Sequence, residues 1–231
     1  MYFTRTKVFN FENAIHGMRN PMNSWDKSDS YYNNDRGFVL GENDLKLAQK
    51  LIKAGSEHRK FMRQIMVSVD VTAPIFWWNE YDTYKVGTVA NSTSKMHKLA
   101  STSITEDCFE RDDFRGDLIV YTKEPYDVDE TVASYWRDSL IPFIETLRQK
   151  FNETSDIAYW KELIRALPES WLQTRTLTMS YENLLAMCSK GQRRFHKLTE
   201  WSISFIQWAR RLPYAQDLIF LDEIENDDKN D

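Results

Sequence analysis

Glycine is scarce in this chain, with seven among 231 residues. None falls into G-x-G-x-x-G or G-x-x-x-x-G-K-[ST], so the usual dinucleotide fingerprint and the P-loop are excluded. The two cysteines, Cys108 and Cys188, are too few for a disulfide framework and lack zinc-ligand spacing, which fits a reducing compartment. His16, His58, His97 and His196 show no metal-ligand spacing either, so no metal site is expected. No apolar run approaches the ~20 residues of a membrane span, and no secretory leader opens the sequence. The net charge of −5 excludes a global basic field for nucleic acid. A cytoplasmic protein with neither nucleic acid nor membrane as partner is the expectation. What the chain does have is apolar residues at 42% and aromatics at 14%, enough for a folded globule with a sizeable core.

Residues 1–40 crowd Asn, Asp, Ser and Tyr between Asn20 and Asp35, and predict irregular structure or short strands. Asn43 is placed to cap a helix carrying Leu45, Ala48, Leu51 and Ile52, with Gly55 as its stop. Ile65, Val67, Val69 and Val71 alternate with Met66, Ser68, Asp70 and Thr72, the period of a strand with one buried face. Pro74 suits the first turn of a following helix. Ile104–Asp127 reads as a charged loop with a short strand at Leu118–Tyr121. A long helix is predicted from Asp129, kinked at Pro142, and further helices over Ile157–Leu167, Tyr181–Ser189 and Lys197–Arg210. In the last of these Leu198, Trp201, Phe205 and Trp208 form a core face rather than a cofactor box. The tail Asp222–Asp231 holds six acids and one lysine and predicts a flexible end. Without an internal repeat or a clear linker, residues 1–221 read as a single α+β domain, helix-rich with a small, mostly antiparallel sheet.

The segment Ile65–Leu99 passes from core-building residues to a run of hydroxyls, an amide, two lysines and a histidine, the change by which a scaffold presents a ligand site. Within it, VDVTAPIFWWNEYDTYKVGTVANSTSKMHKL resembles the signature region of the flavin-dependent thymidylate synthases. There a strand ends in an A-P-I-F-like turn, followed by a helix and the motif R-H-R-x(7)-S with an arginine two places beyond the serine. Aligned from Ala73-Pro74-Ile75-Phe76, Thr83-Tyr84-Lys85 stand where R-H-R belongs, Thr93 on the serine and Lys95 on the later arginine. Ser24 resembles an early flavin-contacting serine, and His58 the histidine of an H-E-x-P segment. Leu167-Pro168 with Thr174-Arg175 is similar to an L-P…T-R stretch, with Arg165 near a nucleotide-binding arginine. Arg193 or Arg194, with His196 and Glu200, is similar to a C-terminal R…H-x-x-x-E run.

The resemblance implies a homotetramer with FAD at subunit interfaces, reduced by NADPH, and methylation of dUMP to dTMP with methylenetetrahydrofolate and no cysteine nucleophile. Carried over by position, Thr93 and Ser94 are the catalytic candidates. Ser24, His58, Thr83, Tyr84, Lys85 and Asn91 line the flavin. Lys95, Arg165, Arg193 and Arg194 hold the nucleotide. Each residue also has a plainer reading. The lysines and the basic turn Lys190–Arg194 are solvated, Tyr84 packs in a core or an interface, and Thr88–Ser94 caps and turns the chain. His58 and His97 are structural hydrogen-bonders, and Asp70 and Asp82 are surface or capping acids. The exchange of both R-H-R arginines leaves two alternatives to thymidylate synthesis: another nucleotide substrate, or a nucleotide-binding or interaction module without catalysis.

Overall fold

The computed structural model describes residues 1–35, 37–94, 99–123, 128–189, 191 and 196–223. Its strands are β1 (Tyr2–Phe9), β2 (Tyr31–Asn33), β3 (Gly37–Val39), β4 (Met66–Pro74), β5 (Val89–Ser92), β6 (Ile119–Lys123), β7 (Val128–Thr131) and β8 (Leu172–Ser180). A four-stranded sheet has the order β1-β4-β8-β5, and β2-β3 and β6-β7 form two separate two-stranded antiparallel sheets. The chain groups into a terminal unit (Tyr2–Val71, Glu80–Asn91 and Arg175 onward) and a middle unit (Met1, Thr72–Asn79 and Ser92–Thr174). No described helix is long and apolar enough to cross a membrane.

In the terminal unit, β4 buries Val67, Val69 and Val71 on one face, as the alternation predicts. Helix α1 (Phe11–Met18) lies in the region expected to be irregular. Its Phe11, Ala14, Ile15 and Met18 recur at helical spacing and are buried, whereas Asn13, His16 and Gly17 dilute the pattern along the sequence. Helix α2 (Glu42–Lys53) buries Ala48 and Ile52 and ends before Gly55, whose φ of 102° only glycine adopts readily. Asn43 is not its cap. The Asp29 carboxylate accepts from the N–H groups of Asn43 (2.9 Å) and Asp44 (3.1 Å), so a residue remote in sequence satisfies the first turn. Trp201 and Phe205 are fully buried, and Trp208 stacks on Phe3 with centroids 5.0 Å apart. These residues are core, as their spacing predicts. The helix begins with π geometry over Glu200–Phe205 and becomes α over Ile206–Arg210.

The middle unit holds a core of Leu99, Ile104, Phe109, Ile144 and Leu163, with Trp136 and Trp171 presenting their rings to Phe109 edge-on. The helix predicted from Asp129 begins at Val132 instead. Val128–Thr131 pair with β6, and Thr131 and Ser134 form a reciprocal capping box. Pro142 has no N–H for the carbonyl four residues back, and the turn before it widens into π geometry over Trp136–Leu140. Pro74 closes β4 rather than opening the next helix, α3 (Ile75–Tyr81). The start of the acidic tail is ordered: Asp222 and Glu223 complete a helical turn, and Glu223 receives two hydrogen bonds from Arg210. Ile224–Asp231 lie outside the described residues.

Candidate functional site

Ser24 and His58, widely separated in sequence, line one cleft of about 500 Å³ in the terminal unit. Ser24 ends a tight loop built on Arg19. The Arg19 carbonyl accepts from the N–H groups of Met22 and Ser24, both at 3.3 Å, and the Arg19 guanidinium donates to the Ser24 carbonyl at 3.2 Å. Trp25 braces the loop by donating to Asn20 Oδ1 at 2.9 Å and stacking on His16. His58 follows the left-handed Gly55, whose carbonyl accepts the His58 N–H at 3.0 Å, and its side chain is exposed. Leu47 and Leu51 of α2, Met18 and Phe61 supply apolar lining, and Glu57, Lys60 and Gln64 add an anion, a cation and an amide. An apolar slot with a few polar groups is the usual composition of a cofactor site.

A second group of predicted residues lies on the turn after α3, also in the terminal unit. The Thr83 hydroxyl donates to the Glu80 carbonyl at 2.8 Å, closing the turn. Tyr84 packs its ring 5.3 Å from the buried indole of Trp201, and His196 stacks on the same indole at 5.2 Å and 15°. His196 Nδ1 accepts from the Leu198 N–H (3.2 Å), which leaves its Nε2–H directed at Glu80 Oε1 (3.4 Å). Burial raises the Tyr84 phenol above its ordinary pKa, and the nearby Glu80 charge adds to the shift. Asn183 donates to the Val86 carbonyl, and Arg175 pairs with Asp82 at 3.2 Å, so α3's exit turn is tied to β8 and the residues after it. Lys85 is exposed, with its carbonyl accepting from both the N–H and the hydroxyl of Thr88. Asp70, expected to be a surface or capping acid, is half-buried within β4 and accepts from the Thr176 hydroxyl at 2.6 Å.

Asn91 is exposed on β5. In the middle unit, the Thr93 N–H donates to the Thr174 carbonyl and the Gln173 amide donates to the Thr93 carbonyl, both at 2.9 Å. The backbone is thus pinned while the Thr93 side chain stays exposed and Ser94 is half-buried. Arg165 is exposed on its helix and ion-paired with Glu162 at 2.5 Å. Lys95, His97, Lys190, Arg193 and Arg194 lie outside the described residues.

The most heavily bonded polar group beside the cleft is one that sequence reading passes over. Asp44 is fully buried and faces Arg19, itself 4% exposed, at 2.5 Å. Its other oxygen accepts from Ser28 and Ser30 hydroxyls and from the N–H groups of Asp29 and Ser30. Burial pushes its carboxyl up, but these hydrogen bonds and the guanidinium prevail and hold it below the ordinary carboxylate value. The available signal was a carboxylate on the apolar face of α2, in helical register with Leu47 and Leu51.

No protein-family model matches this sequence, and no curated protein matches it. Solved structures do. A flavin-dependent thymidylate synthase, ThyX, from Helicobacter pylori complexed with FAD and dUMP aligns with a TM-score of 0.63 at 14% identity, over 95% of this chain and 98% of that one. A UMP/dUMP methylase, PolB, from Streptomyces cacaoi bound with 5-Br UMP aligns with a TM-score of 0.58 at 14% identity, over 94% of this chain and 95% of the other. At such identities the shared property is architecture: the chain has the helix-rich α+β fold of the flavin-dependent thymidylate synthases.

Proposed function

We propose that this protein binds FAD and a pyrimidine nucleotide and methylates the nucleotide at C5, with dUMP as substrate, methylenetetrahydrofolate as carbon donor and NADPH as reductant. The observation that carries the reading is the meeting of Ser24 and His58 in one apolar cleft. The neighbours in fold, one complexed with FAD and dUMP and one described as a UMP/dUMP methylase, support the ligand class. A homotetramer acting in the cytoplasm belongs to the same proposal.

The residues present fit a flavin. Leu47, Leu51, Met18 and Phe61 provide a surface for a planar ring system, and Ser24, His58 and Gln64 provide hydrogen-bonding groups for its polar edge. Lys60 is a point charge for a phosphate. When bound, flavin supplies the redox equivalents that turn a transferred one-carbon unit into a methyl group. Thr83, Tyr84, Lys85 and Asn91 form the flavin-side segment of this proposal. In it Tyr84 keeps the planar ring of the family's histidine, held against Trp201. Thr93 and Ser94 present hydroxyls to the pyrimidine or ribose, and the pinned Thr93 backbone sets the direction of that segment. Lys95, Arg165, Arg193 and Arg194 neutralise the nucleotide phosphate.

The absorption spectrum of the purified protein, followed by FAD titration, tests the reading. The visible flavin band, or saturable FAD binding, is expected, and a colourless protein without FAD affinity overturns it. Tritium release from 5-labelled dUMP, run beside UMP and dCMP, then identifies the substrate. A nucleotide retained without flavin in native mass spectrometry would instead establish a non-catalytic binding module.

A further inference from the structure

Two walls of the cleft face it beside the Glu57–Gln64 segment that carries His58, and they come from separate parts of the chain. One is the Asn20–Ser24 loop, which includes an exposed methionine and a left-handed Asn23. The other is the face of α2 that carries Leu47 and Leu51. Asp44 lies on that same face, one turn earlier, and its carboxylate is the only group on α2 shown bonded to Arg19, around which the loop is closed. We propose that the buried Arg19–Asp44 pair is a positioning element for the cofactor cleft, holding the Ser24 wall in register with the α2 wall. The inference rests on the reading of the cleft as a flavin site.

Three features separate this arrangement from an ordinary buried ion pair. The Asp44 carboxylate takes five hydrogen bonds, from Arg19, Ser28, Asp29 and Ser30, so it fixes the continuation of the loop as well as its start. The grip is reciprocal, because Asp29, whose N–H is held by Asp44, caps α2 with its own carboxylate. Arg19 also spends a second donor on the Ser24 carbonyl, so the ion pair reaches the cleft residue through one guanidinium. The guanidinium makes these two contacts from two separate nitrogens, Nε and Nη1, whereas a lysine would have to reach both acceptors from one. A site held to within a fraction of an ångström by such supporting bonds loses affinity when they are removed, although no contact with ligand is lost.

Asp44→Asn in the full chain tests the proposal. Hydrogen–deuterium exchange is expected to rise across residues 19–30 while β4 stays protected, and FAD Kd is expected to rise at least tenfold. Ser28→Ala keeps the ion pair and removes one bond to Asp44, and Ser30→Ala keeps it and removes two, one to Asp44 and one from the Gly41 N–H. They should give the same pattern with a smaller loss, and they decide the matter if Asp44→Asn does not fold. Exchange unchanged over 19–30 would overturn the proposal. So would raised exchange with FAD affinity within twofold of wild type, since a purely structural pair lowers the melting temperature without touching affinity below it. If the wild-type protein binds no FAD, the flavin reading falls, and the exchange comparison alone then decides whether Asp44 holds the wall.

Discussion

Replacing Gly41 with alanine should damage the protein through one contact. Gly41 has φ −76° and ψ 162°, which alanine adopts freely, so backbone strain is not the issue. The methyl group would stand 2.2 Å from Asp29 Oδ1 and 2.5 Å from the Asp29 carbonyl carbon, and backbone cannot rotate away as a side-chain tip can. Asp29 must retreat by about 1 Å to restore ordinary contact. The retreat breaks its cap on Asn43 and Asp44 and pulls its own N–H from Asp44. Overpacking of this kind costs about 1–3 kcal/mol, and loss of a cap about 1 kcal/mol. The lower entropy of an unfolded alanine returns about 0.4–1 kcal/mol. A net loss of about 2–3 kcal/mol is expected, a large share of a typical domain's ~5–15 kcal/mol. Urea denaturation with a shared m-value measures it. Gly191, exposed and with no heavy atom within 4 Å of an added Cβ, is the control, and its alanine variant should match wild type. A Gly41→Ala stability within about 0.5 kcal/mol of wild type would show that Asp29 does not approach this closely and would refute the reasoning.

Glu145 predicts an acid-dependent contribution in the middle unit. Two hydrogen bonds from Arg148, joined by bonds from the Ile104 N–H and Gln149, lower its pKa from 4.5 to about 2. A lowered carboxylate pKa stabilises the fold above its unfolded value, and that stability is lost as pH falls from about 4.5 toward about 2. The full span corresponds to roughly 3 kcal/mol, reduced by solvent screening to about 1–2 kcal/mol. Glu145→Gln should therefore destabilise the protein at neutral pH and approach wild type near the acid end, which denaturation across pH reads directly. Trp201→Ala should cost about 3–5 kcal/mol, because the indole is fully buried and donates to the Met187 carbonyl. Tyr84→Phe keeps the ring on that indole and should leave thermal stability within about 0.5 kcal/mol; a large drop would show that the hydroxyl, and not the ring, anchors the turn.

Where structure depends on neighbours along the chain, the sequence by itself determined it. The alternation of Val67, Val69 and Val71 set β4, the stop at Gly55 set the end of α2, and the spacing of Trp201, Phe205 and Trp208 set a core face. The order of motifs around Ala73–Phe76 pointed to a fold that the solved neighbours share. Tertiary structure alone decided the remainder, because hydrogen bonds and burial join residues that no local pattern links. Asp29 capping α2, Val128–Thr131 pairing as a strand, and Arg19 meeting Asp44 all depend on contacts across loops. The cleft that brings Ser24 to His58 is of the same kind. Each residue was identifiable as a candidate, but only the folding of their two loops around α2 puts them on one cavity.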